Sequence, residues 1–394
     1  MVYRFTDVVI DSRTGLNPRK NFVLGSGDNY YITIKDIYNG KVNFTDKTDK
    51  VDDEAIQIIK RRSRIKVGDV LFVSIGRIGE TAIVMNKDDS WDVNESVFVF
   101  TLNNKIITPE YFCTMFQSQG VKQYLSGNSS GSTFKSIKMN QLERMTFDLP
   151  PVTTQKSITT KLTAVRRIID LRTSQLAELD NLVKARFVEL FGDPKLNDKG
   201  WNAGIVSDYY EVKGGKRIPK GMGYADGVTA HPYLRATDMK NETILDDDIH
   251  YIDEEVYALI KRYTVKSGDV YLTNVGVNLG MAGVIPEKYD GANLTENAVK
   301  LVPKTEKVID GVFLAHYINS PGIQDYINAR KMSVGVPKLA IFRIETMPLL
   351  LPPMDIQMQF IEFCKQADKS KVAVQKALDE AQLLFDSLMQ KYFG

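Results

Sequence analysis

The sequence predicts an α+β protein: two β-rich domains in pseudo-twofold repeat, separated by two long antiparallel coiled-coil helices. Three observations carry this expectation. The chain repeats itself once, at a spacing of about 200 residues. Residues 1–150 and 193–350 are dense in short β-branched and aromatic runs broken by Gly, Asn and Asp, the pattern of a twisted sheet or partial barrel. Residues 151–192 and 351–394 each begin within a Leu-Pro-Pro run and then hold heptad spacing to their end.

The repeat rests on matches that keep one order. Lys66–Val–Gly–Asp–Val70 recurs as Lys266–Ser–Gly–Asp–Val270, and Tyr31 and Asp36 recur as Tyr233 and Asp238. Ser118, Gly120 and Tyr124 recur as Ser320, Gly322 and Tyr326, and Leu149–Pro–Pro151 as Leu351–Pro–Pro353. After small insertions near residues 60 and 270 the offset settles at 202. A period this long marks two copies of a domain-plus-connector module, not a solenoid unit. Within the domains, Asp69–Ile75 and Asn94–Leu102 read as strands, and Pro109–Gln119 and Gly311–Ser320 as helices.

Proline suits the approach to a helix, and Thr153 or Asp355 is placed to cap its start. In the first helix the heptad positions are Ile158, Leu162, Val165, Ile169, Arg172, Leu176, Leu179, Val183, Arg186 and Leu190. In the second they are Phe360, Cys364, Ala367, Lys371, Val374, Leu378, Ala381, Phe385, Leu388 and Tyr392. The polar intrusions differ, with Lys371 opposite Ile169 in the repeat and Arg172 and Arg186 opposite Val374 and Leu388. Such a residue in an apolar seam fixes pairing and register. The competing reading is two independent amphipathic helices, each lying on its own domain.

Composition narrows the function. The chain has 394 residues, 43% hydrophobic and 25% charged, which excludes collagen-like, disulfide-framework and acidic-disordered classes. The start lacks a basic segment with an apolar run, and no stretch approaches the ~18 apolar residues of a membrane span. Cys113 and Cys364 are far apart and lack metal-site spacing, so the chain reads as cytoplasmic, soluble and reduced. No phosphate-loop or dinucleotide motif is present, and His231, His250 and His316 lack ligand or nucleophile-base spacing. Asp52–Asp–Glu–Ala55 reads as a solvated helix start; its alternative is a carboxylate cluster serving a nuclease. Lys+Arg number 51 against 49 Asp+Glu, a formal net charge of +2. By segment, in chain order, the four parts carry +2, +3, −2 and −1. No part has the basic excess of a stand-alone nucleic-acid binder.

Two variable domains, each followed by Leu-Pro-Pro, a nearby Gln (Gln155, Gln357), a long heptad helix and Phe-Gly (Phe191–Gly192, Phe393–Gly394), resemble the specificity subunit of type I restriction-modification systems. The resemblance spans essentially the whole chain. Phe191–Gly–Asp–Pro194 matches the run that closes that family's central spacer, and Gly-Asp-Val at 68–70 and 268–270 its recurring strand start. Gly131–Ser–Thr133 before Ile137, and the variant Gly335–Val–Pro–Lys338 before Leu339, resemble its polar turn. Where the family often carries Glu-Gln after the double proline, this chain keeps only the glutamine.

The resemblance implies a non-catalytic reader of bipartite double-stranded DNA, one half-site per target recognition domain, with the helices setting the gap. It implies two modification (methyltransferase) subunits that bind S-adenosylmethionine and flip adenines, and two restriction (motor-nuclease) subunits that use ATP and Mg²⁺. This chain itself is expected to bind no cofactor and no metal. The small net charge then predicts weak DNA binding alone and strong binding in the assembled complex. The alternative is a coiled-coil scaffold whose heads bind protein.

Several residues are candidates for contact with DNA. The cluster Arg61, Arg62 and Arg64, with Lys261 and Arg262 in the repeat, precedes Gly-Asp-Val in both copies and suits phosphate contact. Arg19 and Lys20, with Lys216 and Arg217 beside glycines, suit a loop approaching the backbone. Thr33 and Arg235 occupy matching positions in a strand, and Arg77 and Asn274 lie in the hairpin after Gly-Asp-Val. Arginine prefers guanine and asparagine adenine. Ser132, Thr133 and Lys338 lie in the polar turn before the final strand. For each, ordinary loop decoration is the alternative.

Overall fold

The computed structural model describes residues 1–19, 21–131, 134–304, 308–332 and 335–394. They form two compact units: residues 1–173 with 376–394, and residues 174–375. The division runs through the long helices, Val152–Phe191 and Met354–Phe393, so each unit holds one head and half of each helix.

In the first unit, Val9–Thr14, Val97–Leu102, Val70–Val73 and Thr81–Ile83 form an antiparallel sheet in that order. The Val70–Val73 strand is buried on both faces, which is why it reads as a continuous apolar run rather than an alternating one. A smaller sheet places Asn29–Ile32 between antiparallel Lys50–Val51 and parallel Trp91–Val93. Val2–Arg4 pairs with Thr146–Asp148, so the start of the chain lies beside the segment leading into the double proline. The core is aromatic: Phe100 packs edge-on to Phe5 and Phe112, and Phe72 edge-on to Phe116. Ile158 and Leu162 of the first long helix join this core, with Leu388 and Phe393 of the second packed against it.

The second unit repeats the design strand for strand. Tyr210–Gly214, Ala298–Pro303, Val270–Thr273 and Ala282–Val284 form its antiparallel sheet. His231–Leu234 lies between antiparallel His250–Ile252 and parallel Asn293–Leu294, and Asn202–Ile205 pairs with Pro348–Leu351. Two sequences that share few side chains thus close the same sheets in the same order.

The long helices begin at Val152 and Met354, directly after each double proline. Thr153 and Asp355 lie inside the first turn and are not the caps that the sequence suggests. Proline holds the boundary position in both copies, where Pro151 O and Pro353 O accept the Gln155 and Gln357 amides at 3.0 and 3.2 Å. The glutamines fasten the start. Gln155, fully buried, accepts the Thr108 amide at 3.1 Å and donates to Ile106 O and Pro150 O at 2.7 and 2.9 Å. Gln357 repeats this with the Asp310 amide, Val308 O and Pro352 O. The first helix stops at Gly192, whose φ of 75° puts it in the left-handed region natural to a helix end.

Every heptad position in both helices is buried or half-buried. Leu162, Val165, Val183 and Val374 are buried, while Ile169, Leu176, Leu179, Leu378, Phe385 and Leu388 are half-buried. In the first unit the Arg166 guanidinium lies 4.8 Å from the Phe385 ring. In the second, Lys371 pairs with Asp180 at 2.7 Å, and Phe360 packs on Phe187 and Phe191, both at 5.5 Å. Within that unit the contacts rise along one helix as they fall along the other, so the two halves run antiparallel. No helix among the described residues is long and apolar enough to cross a membrane.

Candidate nucleic-acid interface

In each head three loops meet at one edge. In the first, the Gly76 amide donates to Lys135 O at 2.9 Å, joining the hairpin tip to the polar turn. Arg77 Nη2 donates to Ile34 O at 2.7 Å and Ile37 O at 3.0 Å, joining the tip to the loop after Asn29–Ile32. In the second head the Gly276 amide donates to Pro337 O at 2.9 Å, and Asn278 Nδ2 to Ala236 O at 3.4 Å. The scaffold is common to both edges and the side chains on it differ.

Thr33 and Arg235 lie one residue beyond their strands, not within them. A carboxylate ends each ladder: Asp36 accepts the Thr33 amide and Asp238 the Arg235 amide, both at 2.8 Å. This side-chain turn replaces the next strand pair. The Arg235 guanidinium also donates to Asp238 Oδ1 at 2.7 Å and Asp248 Oδ2 at 3.0 Å. Hydrogen bonding to Asp238 raises its pKa above the usual arginine value, and bonding to Arg235 holds Asp248 below the usual carboxylate range.

Asn274 does not lie on this edge. It is only 6% exposed, and its Nδ2 faces Leu339 O at 3.4 Å. The second hairpin has three residues between Gly276 and Gly280 where the first has two between Gly76 and Gly79, so the braces that correspond are Arg77 and Asn278. Lys338 is exposed and bridges Met332 and Val275 through its backbone, as Ser136 bridges Ser130 and Ile75. Ser132 and Thr133 lie outside the described residues, as does Lys20.

The basic cluster sits on and just after the Asp53–Ser63 helix. Asp52 caps the Asp53–Ser63 helix by accepting the Ala55 amide at 2.8 Å, which gives the acidic run a structural role at the positive end of the helix dipole. Lys60, Arg61 and Arg62 fill the last turn, where the dipole favours cations. Lys60 pairs with Asp89 at 2.7 Å, Arg62 Nε donates to Thr14 at 3.3 Å, and Arg61 is exposed. Arg64 takes the left-handed conformation after the helix, 3.7 Å from Asp11. In the second head Lys261 and Arg262 are exposed just past Glu254–Ile260. Arg19 is exposed; Lys216 lies 5.8 Å from the Tyr263 ring, and Arg217 pairs with Glu296.

The aspartate of Gly-Asp-Val holds a place that its sequence motif alone does not assign. Asp69 accepts the Lys66 amide at 2.8 Å and Thr101 Oγ1 at 2.6 Å, and pairs with Arg13 at 2.9 Å. Asp269 accepts the Lys266 amide at 2.8 Å and pairs with Lys300 at 3.1 Å. Its recurrence before a strand is the available signal: a carboxylate entering a buried sheet needs a partner.

A family model described as Type I restriction modification DNA specificity domain matches residues 1–181 and 198–381. The MjaIX type I restriction enzyme specificity subunit of Methanocaldococcus jannaschii is 22% identical over 93% of this chain and 86% of its own length. The EcoBI specificity subunit of Escherichia coli is 21% identical over 70% of this chain and 63% of its own length. Among solved structures, the S subunit of a type I restriction-modification system from M. genitalium aligns over 100% of this chain and 96% of its own, with a TM-score of 0.57 and 14% identity. A chain from a study of complex assembly and conformational transition in the type I R-M system aligns over 100% and 97%, with a TM-score of 0.63 and 17% identity. These likenesses are to the fold. With two matched segments that together span most of its length, the chain belongs to the type I restriction-modification DNA specificity family.

Proposed function

We propose that this chain is the non-catalytic sequence-reading subunit of a type I restriction-modification complex, each head reading one half-site of a bipartite double-stranded DNA target. One observation carries the reading: two heads with one strand order present the same three-loop edge with different side chains. Arg77 stands where the second head has Asn278, Thr33 where it has Arg235, and Ser136 where it has Lys338. A common scaffold with interchangeable residues on its loops suits a pair of readers with different base preferences.

Methylation and cleavage then belong to partners. Two modification subunits carrying S-adenosylmethionine supply base flipping and transfer, and two motor-nuclease subunits using ATP and Mg²⁺ complete the restricting assembly. The exposed faces of the long helices are available to dock them. Each helix has 40 residues, a length of ~60 Å at ~1.5 Å per residue. Inserting a turn in one helix is therefore expected to change the recognised gap.

The test is co-expression of the chain with its modification subunits, followed by genome-wide mapping of methylated adenines. The expected result is one new bipartite motif with a fixed gap. Active modification subunits that produce no such motif would overturn the reading.

A further inference from the structure

In the first unit a cavity of about 550 Å³ opens beside the three-loop edge, between the hairpin tip, the Asn39–Gly40 turn and the first long helix. Four cations line it, Arg77, Lys122, Lys135 and Arg166, against one carboxylate, Glu80. Glu80 is already paired with Arg77 at 2.9 Å. Arg166 donates to the neutral Gln117 side chain at 2.8 Å and lies over the Phe385 ring, with no carboxylate paired to it among the described residues. Lys122 and Lys135 are exposed and have no side-chain partner among the described residues. Cations gathered around a concave surface repel one another and raise the local concentration of anions.

The second unit serves as an internal control. At the 202 offset, Lys122, Lys135 and Arg166 correspond to Gln324, Pro337 and Asp368, and Gly40 to Glu242. Glu242 pairs with His316 and accepts Asn319 Nδ2, both at 2.9 Å. Gln324 Nε2 donates to Gly280 O at 2.8 Å and Ile318 O at 2.9 Å. The protein's own groups are satisfied there, so the repeated fold does not require cations at these positions.

We propose that the first-unit cavity binds a phosphate group, with Lys122, Lys135 and Arg166 as its charged donors. The phosphate comes from the backbone of duplex DNA or from a free phosphate compound. The backbone source rests on the DNA-reading function; the cavity chemistry does not.

The test compares full-length K122Q/K135Q with the charge-matched control K47Q/K105Q, whose lysines are also exposed in the first unit. In one arm the isolated chain is melted with inorganic pyrophosphate. A rise in the midpoint for wild type and control that is lost in K122Q/K135Q identifies a site for free phosphate. In the other arm the chain, assembled with its modification subunits, is titrated with duplex DNA at several salt concentrations. A log–log salt slope reduced by about 2 in K122Q/K135Q alone identifies backbone contact, at ~0.9 per neutralised phosphate. Both double variants behaving alike in both arms would overturn the proposal. If the assembled wild type binds no duplex, the DNA-reading function fails, and the pyrophosphate arm still decides the cavity.

Discussion

Arg13 and Asp69 form an ion pair at 2.9 Å with side chains only 4% and 2% exposed, while the repeat draws the matching cation from a different strand. Arg13 stands on Val9–Thr14, the edge strand of its sheet, whereas Lys300 stands on Ala298–Pro303, a central strand. Lys213, which pairs with Lys300 in register much as Arg13 does with Val99, turns instead to Glu211 at 2.9 Å. The invariant need is a charge for the aspartate that opens the strand, and either neighbour can supply it.

Asp69→Ala leaves the buried Arg13 with only the half-exposed Asp11, at 3.4 Å, so it is expected to cost about 3 kcal/mol, the lower end for broken buried pairs. Asp269→Ala should cost less, about 2 kcal/mol, because Lys300 and Asp269 retain 15% and 11% exposure and water can reach the orphan. Denaturant melts of the two variants test this. Equal losses, or no loss at Asp69, would show that the pair does not hold the strand entrance.

The thiols give a prediction about pH. Burial pushes both Cys113 and Cys364 from 9.0 up to about 12. For an acid with a raised pKa, the folded state keeps a proton that the unfolded state releases. The two thiols thus favour the folded state fully below pH 9 and lose that contribution as pH climbs toward 12. Since the thiolate is the nucleophile, iodoacetamide at about pH 8 should leave both cysteines of the native protein unmodified and should label both in denaturant. Rapid native labelling under those conditions would contradict the burial.

Some of this was legible because its signal is local. The heptad stripe, the continuous apolar strand Val70–Val73 and the two Gly-Asp-Val strings can be read from adjacent residues. The surroundings of the candidate interface residues could not, because they depend on distant partners. Asn274 is buried against Leu339, 65 positions away, and Arg235 is anchored by Asp248, 13 positions away. With Gly76 matched to Gly276, Arg77 falls on Val277, and the one extra residue before Gly280 moves the brace to Asn278, a change that hydrogen bonding reveals and residue counting does not. The expected caps at Thr153 and Asp355 failed for a local reason: the helices start one residue before them, so proline holds the boundary position.

Lys371 tests the effect of a charge in the seam. It is half-buried at a heptad position whose repeat counterpart is Ile169, and it pairs with the 57% exposed Asp180. An ion pair with so exposed a partner contributes at most ~1 kcal/mol. Burying an isoleucine there gains roughly 1.5–3 kcal/mol before any loss from packing. Lys371→Ile should therefore stabilise the second unit by about 1 kcal/mol, read as a rise of roughly 2–4 °C in its melting midpoint. A fall in the midpoint would show that the Lys371–Asp180 pair contributes more than an exposed ion pair can.

Arg235 offers the sharpest separation between reading and bracing. Arg235 opens the loop after His231–Leu234, one of the three that form the edge of the second head, and its guanidinium is bonded to Asp238 and Asp248. If it reads a base, Arg235→Ala should relax one position of one half-site by ~1–3 kcal/mol of discrimination and leave the other half-site unchanged, since the first head has Thr33 at that place. Asp238→Asn separates the two roles, because it weakens the anchor but keeps the guanidinium. Methylation maps made with each variant decide the matter. Relaxation by Arg235→Ala alone assigns base reading to the guanidinium. The same relaxation from both variants assigns Arg235 to loop support, and the specificity of that half-site must then come from its neighbours on the edge.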